Sequence, residues 1–207
     1  MELTRPIEAI VPGAQGRVLA VLTETTAELN LRTIARLAGV SPAQASRLLP
    51  DLVALGVVER REVPPSSLFR LVRDHVASRF LLGLADSHRV VLDEMGRLAS
   101  DLPHPPTSVI VFGSFARREA DVDSDLDVLV VRPNDIAAED DAWFEALENW
   151  RQAVERLTGN RVEIVEVGQE EAGHNLAEGR QLWADIARDG QVVHGRSLAE
   201  LNRATNG

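Results

Sequence analysis

Apolar positions change their period along the chain. Before residue 57 they fall at helical spacing. VLAVL (18–22) supplies the apolar side of a short helix over 16–23, and 31–37 reads as a second helix, with Gly39 just past its end. Ser41-Pro42 then sets an N-cap before a proline at the first helical position. The helix it opens, PAQASRLLPDLVAL (42–55), carries Ala45, Leu48, Leu49 and Leu52 on one face, with Gln44, Ser46, Arg47 and Asp51 largely on the other. Gly56 ends it. From there the period drops to two: VVERREV (57–63) and LFRLV (68–72), around PPSS (64–67), predict a β-hairpin. Residues 74–100 return to helical spacing, with Val76, Phe80, Leu81, Leu84, Val90, Val91, Leu92 and Met95 on one side of a single long helix. The proline-rich DLPHPPT (101–107) breaks it.

The second half alternates strand and helix. An apolar run over 108–112 predicts a buried strand, followed by Gly113-Ser114 and a short helix from about Phe115. Residues 125–131 predict a second strand. A helix over 139–157 follows, with Trp143, Phe144, Leu147, Trp150, Val154 and Leu157 in step. After the turn Thr158-Gly159-Asn160 comes a third strand, RVEIVEV (161–167), then a helix over 175–188 and the short strand QVVH (191–194). The expected class is α/β (α+β) in two domains: residues 1–73, a linker helix over 74–103, and residues 104–207 with a mixed β-sheet flanked by helices.

Composition narrows the functions. With 44% apolar and 26% charged residues in 207, the chain can bury a core, and its apolar runs are strand-sized, too short for a membrane span. MELTRPIEAIVPG has no basic segment leading into an apolar one, so no secretory signal is expected. The absence of cysteine removes thiolate catalysis and Cys-based zinc sites, and suits a reducing cytoplasm. Charge divides the chain. Residues 1–100 hold 12 Arg against 11 acids, net +1; residues 101–207 hold 10 Arg against 21 acids, net −11. The acidic half argues against a long nucleic acid in its cleft. There is no lysine, so every cationic side-chain contact to phosphate must come from arginine.

Aspartate is a poor strand residue, yet Asp125 and Asp127 occur in DSDLDVLVV (123–131). Side chains two apart share a face, so both carboxylates converge on one patch while Leu126 and Val128 go to the other. Two like charges on a rigid strand repel unless a cation lies between them, and an all-oxygen pair suits Mg²⁺ (or Mn²⁺) completed by substrate phosphates. Gly113-Ser114 joins a strand to a helix start, where backbone N–H groups meet phosphate, and Arg117 and Arg118 follow. Glu163 is a third acid, interrupting the later apolar strand. Competing chemistries lack their signatures: there is no Walker A motif, no GxGxxG, no HExxH and no GxSxG. The five histidines (His75, His88, His104, His174, His194) have no paired spacing and read as surface or packing residues.

The string VFGSFARREADVDSDLDVLVV (111–131) resembles the active-site signature of the DNA polymerase β-like nucleotidyltransferase superfamily, most nearly the minimal nucleotidyltransferases, whose usual form is GSxARGxAxxxSDxDL. Gly113, Ser114, Ala116, Arg117, Ala120, Ser124, Asp125 and Asp127 fit it; Arg118 stands where glycine is usual, a bulk that would narrow the phosphate loop. The resemblance implies a nucleotidyltransferase fold and an enzyme that moves a nucleoside monophosphate from a nucleoside triphosphate, ATP being the first choice, to a hydroxyl acceptor on a small molecule or protein. Asp125, Asp127 and Glu163 would be the catalytic and metal-holding acids, with Glu163 the third ligand or the base. Gly113, Ser114, Arg117 and Ser124 would bind the nucleotide.

Residues 16–72 resemble a winged helix-turn-helix. In a DNA-binding version Gln44, Ser46 and Arg47 would meet the major groove, and Arg60, Arg61 and Arg70 the phosphate backbone. Against this stand a net charge of +1 over residues 1–72 and Pro50, which would kink the recognition helix. A protein-contact role, or a homodimer seam along 74–100, is the alternative. Two rival functions remain: a DNA-binding transcriptional regulator with a catalytically silent, nucleotide-sensing domain, and an antitoxin-like protein that modifies a small helical partner.

Overall fold

Ser41 caps the helix it is expected to open. In a computed structural model, which describes residues 4–179 and 181–203, its hydroxyl accepts from Gln44 N at 3.1 Å, while Gln44 Oε1 accepts from Ser41 N at 2.9 Å. This capping box starts α4 (Pro42–Ala54), which continues through Pro50. Before it come α1 (Pro6–Ile10), α2 (Ala14–Thr23), β1 (Leu29–Asn30) and α3 (Leu31–Leu37); after it come β2 (Val58–Val63), β3 (Ser66–Leu71) and α5 (Val76–Ala85). The strands form an antiparallel sheet in the order β1-β3-β2, so the expected hairpin is joined by a two-residue strand too short for periodicity to reveal. Val18, Leu22, Ile34, Ala45, Leu49, Leu52, Val58 and Phe69 make the core of this unit.

The chain divides between Ser87 and His88 into two units. The second contains most of α6 (Ser87–Ser100), then β4 (Ser108–Phe112), α7 (Gly113–Ala116), β5 (Leu126–Arg132), α8 (Asp141–Thr158), β6 (Val162–Gly168), α9 (Gln169–Glu178), α10 (Gln181–Asp189), β7 (Gln191–Gly195) and α11 (Leu198–Arg203). Its sheet is mixed, in the order β6-β5-β4-β7, with β5 and β6 parallel and the other pairs antiparallel. The buried strands separate two cores. Val109, Val111, Val128 and Val130 pack with Met95 and Ala99 of α6 and with Trp143, Leu147, Trp150 and Val154 of α8. Ile110, Phe112, Leu129 and Val131 face Ala172 of α9, Trp183 and Ile186 of α10, and Leu201 of α11.

Three helical readings are corrected. The stretch 74–100 is two helices, not one, interrupted at Asp86. Each then buries its own stripe: Ala77, Leu81 and Leu84 pack against the first core, Val91, Met95 and Ala99 into the second. Val76, Phe80 and Val90, expected on one shared face, are 65%, 77% and 47% exposed. Phe144 is in step on α8 yet lies on its outer side. The helix expected over 175–188 is likewise two, α9 and α10. Among the described residues no helix is long and apolar enough to cross a membrane.

Candidate active site

Alternation along β5 puts Asp127 on the face it shares with Leu129 and Val131. Sheet register then supplies its neighbours. Asp127 stands opposite Phe112 of β4 and, in the parallel pairing, beside Glu163 of β6, on a strand about 4.8 Å away. Asp125 lies two residues earlier, exposed, just before the strand begins. Burial pushes the Asp127 carboxyl above the usual carboxylate range, and the charges of Glu163 and Asp125 push it further, against a smaller pull from Arg117. Three acids therefore act on one point. Glu163 also pairs with Arg161 at 3.2 Å.

Among the described residues no three His, Asp or Glu side chains are drawn together tightly enough to make a finished metal site. The donor chemistry nevertheless fits a hard divalent cation: all the ligands are oxygens, and their mutual repulsion is what such an ion relieves.

Gly113 has a role the sequence reading gave to phosphate alone. Its φ is +72°, and a Cβ built there would lie 2.3 Å from Asp127 Oδ2. The missing side chain is the space the carboxylate occupies. α7, which Gly113 opens, is held from three directions. His88 Nε2 donates to the Phe115 carbonyl at 2.8 Å, and its ring stacks on Phe115 with centroids 4.9 Å apart. Gln191 Nε2 donates to the Ala116 carbonyl at 2.5 Å. Arg117 reaches Glu119 at 2.8 Å and Asp189 at 3.3 Å. His88, Asp189 and Gln191 come from α6, α10 and the start of β7; no local motif marks them. Ser114 lies half-buried in the first turn, and its hydroxyl makes no hydrogen bond among the described residues.

Ser124, read as a nucleotide contact, is turned inward. Its hydroxyl donates to Asp121 Oδ1 at 2.7 Å and accepts from Asp121 N at 3.0 Å. Buried Asn160 clamps the same turn, donating to the carbonyls of Asp121 and Ser124 at 3.0 and 2.7 Å. This turn aims the chain at Asp125. Arg118 adopts φ +60°, which explains glycine in the usual form of the signature: the backbone there is left-handed.

In the first unit, Gln44, Ser46 and Arg47 all lie on the exposed side of α4, as expected. The amide oxygen of Gln44 is taken up by the capping box. The arginines of the hairpin are paired within the unit: Arg60 with Ser67 and Glu62, Arg61 bidentate with Glu28, and Arg70 with Glu59. Arg47 has no acidic partner among the described residues.

Residues 91–181 match the nucleotidyltransferase domain family, a stretch that begins inside α6, and residues 16–62 match the IclR helix-turn-helix domain. Comparison with curated proteins returns no match. Similar solved structures include these three. A toxin–antitoxin structure with AMP-PNP is 14% identical, covering 56% of this chain and 83% of its own, with a TM-score of 0.39. A mutant of the toxin–antitoxin MntA–HpeT is 12% identical over the same shares, with a TM-score of 0.38. RV1404 from Mycobacterium tuberculosis is 23% identical, covering 48% and 69%, with a TM-score of 0.33. The chain carries a nucleotidyltransferase domain, preceded by a helix-turn-helix domain of the IclR type.

Proposed function

We propose that the C-terminal domain transfers a nucleoside monophosphate from a nucleoside triphosphate to a hydroxyl acceptor, using a divalent cation held by Asp125 and Asp127. The observation that carries this reading is the convergence of charge on Asp127, half-buried beside Glu163 and seated in the gap left by Gly113. When bound, the cation neutralises the triphosphate and the carboxylates together. The chain's own groups orient and accept. Ser114 and the backbone N–H groups of α7 hold the phosphates. The acceptor oxygen attacks the α-phosphorus, the bond to the bridging oxygen breaks, and pyrophosphate leaves. Glu163, at the exposed end of the group, takes the acceptor's proton.

The experiment is calorimetric titration of ATP, GTP, CTP and UTP with Mg²⁺ and with EDTA, with Asp125→Asn and Asp127→Asn as controls. Binding that needs both the metal and the carboxylates is expected. No binding under any condition sinks the enzyme reading. The helix-turn-helix domain is then the place to look, as a DNA-binding regulator reading bases through Arg47, the one candidate arginine whose charge is uncommitted among the described residues.

A further inference from the structure

Asp127 and Asp125 are held by different means. Asp127 lies within β5, where register on both sides fixes it between Phe112 and Glu163. Asp125 precedes the strand, so no ladder pairing sets its direction. Its two flanking peptide groups are tied instead to consecutive residues of the turn that leads into β6. Before it, the Ser124 carbonyl accepts from Asn160 Nδ2 at 2.7 Å. After it, Leu126 N donates to the Arg161 carbonyl at 2.8 Å. Each peptide group is planar, so holding the plane on either side of Asp125 restricts both backbone angles between them. The direction of its side chain follows.

The tie at Arg161 is main chain, and any residue there would supply the same carbonyl. The other is written in one side chain. Asn160 is 5% exposed, and its amide also donates to the Asp121 carbonyl at 3.0 Å, spanning the turn. Its own base is firm. Asn160 N donates to Thr158 Oγ1 at 3.2 Å, and that hydroxyl donates to the Val154 carbonyl at 2.9 Å. Gly159 N closes α8 on the Glu155 carbonyl at 2.7 Å. Three residues beyond Asn160 the same segment reaches Glu163. One short stretch thus supplies one acid of the cluster and holds another.

We propose that Asn160 is a positioning residue of the cation site, fixing Asp125 so that its carboxylate and that of Asp127 bind one divalent ion. This rests on the nucleotidyltransferase reading above and adds a residue, outside the signature, that sets affinity for the metal. Asn160 touches neither ion nor nucleotide. It acts through the peptide group between Ser124 and Asp125.

The test measures cation binding apart from turnover. Mn²⁺ is titrated into the full chain by electron paramagnetic resonance, and Mg-ATP by calorimetry, with thermal unfolding of each variant alongside. Asn160→Ala is expected to bind both probes about 10- to 100-fold more weakly, the loss typical of removing a group that orients a metal ligand. Asn160→Ser keeps one short donor and should fall between it and wild type; it carries the test if Asn160→Ala does not fold. Val154→Ala is the comparison. It opens a cavity beneath α8 and lowers Tm without removing a hydrogen bond of the clamp, and should bind as wild type does. Wild-type affinity in the folded Asn160 variants, or an equal loss in Val154→Ala, overturns the assignment of Asn160 and leaves the nucleotidyltransferase reading standing. If wild type binds neither probe, that reading fails and the assignment falls with it.

Discussion

The carboxylate of Asp127 occupies the volume in which a side chain at position 113 would begin. A Cβ on Gly113 would fall 2.3 Å from Asp127 Oδ2 and 3.2 Å from its Cγ. Residues that look independent in the chain, one opening α7 just after β4 and the other second in β5, are thus a single packing unit.

Gly113→Ala tests that unit. The new methyl group and the left-handed backbone together should cost about 2–4 kcal/mol, measured by urea denaturation, and Mg-dependent nucleotide binding should be lost. Gly159→Ala is the comparison, because Gly159 has φ +75° but nothing within 4 Å of a built Cβ. It should cost about 1 kcal/mol and leave nucleotide binding unchanged. Equal effects at the two sites would mean that crowding of Asp127 is not the cause.

Asp127→Asn should raise Tm at neutral pH while abolishing transfer. The native carboxyl holds its proton to higher pH than an unfolded one, whose value is about 3.9. Between those two values the folded state binds more protons, so stability falls as pH rises through that window, and the whole penalty is present at pH 7. The gap in Tm between variant and wild type should therefore close below about pH 4. Adding Mg²⁺ at pH 7 should raise the Tm of wild type alone. A variant less stable than wild type at pH 7 would contradict the repulsion inferred among Asp125, Asp127 and Glu163.

His88 should matter more than its place outside the signature implies. Losing both the hydrogen bond to the Phe115 carbonyl and the stacked ring, His88→Ala is expected to destabilise the domain by about 2–4 kcal/mol. It should also weaken nucleotide binding, since α7 loses one of its supports. Chemical denaturation and calorimetry report the two effects separately.

The helix-turn-helix domain makes a prediction of opposite sign to the usual loss. Glu28 and Glu59 hold Arg61 and Arg70. Glu28→Gln and Glu59→Gln should free those guanidinium groups, strengthen binding to duplex DNA, and steepen the dependence of log K on log salt by about 0.9 for each new phosphate contact. Arg47→Ala should weaken binding. Fluorescence anisotropy across a salt series measures both. Unchanged slopes in the double variant would remove the hairpin from any DNA interface.

The legible parts were those set by local chemistry. Ser41-Pro42 announced α4 because a cap and a helix-ready φ are properties of two adjacent residues. Asp127 can be placed on its face because alternation is a property of one strand, whereas Asp125, expected on the same strand, lies just before it. What escaped notice depends on chain segments that meet only after folding. Ser124 reads as a nucleotide contact, yet its hydroxyl is engaged by Asp121 and its carbonyl by Asn160, 36 residues away, which no local spacing reveals. Gln191 and Asp189 reach α7 across more than 70 residues. The hairpin arginines looked available because their acidic partners, Glu28 and Glu59, lie on neighbouring strands or a distant loop. The break at Asp86 was hidden by apolar spacing that suits two short helices as well as one long one.

β5 works as a reading frame. Its odd positions carry carboxylate and then core, and its even positions fill the other layer beside Trp143 and Trp150. One inserted residue between Asp127 and Val128 would turn the preceding part of the strand over, thrusting the Asp127 carboxylate into the tryptophan layer and Leu126 toward the site. Two inserted residues there would restore the faces but carry Asp127 about 6.6 Å along the strand, out of step with Gly113. This segment can change its letters more freely than its count.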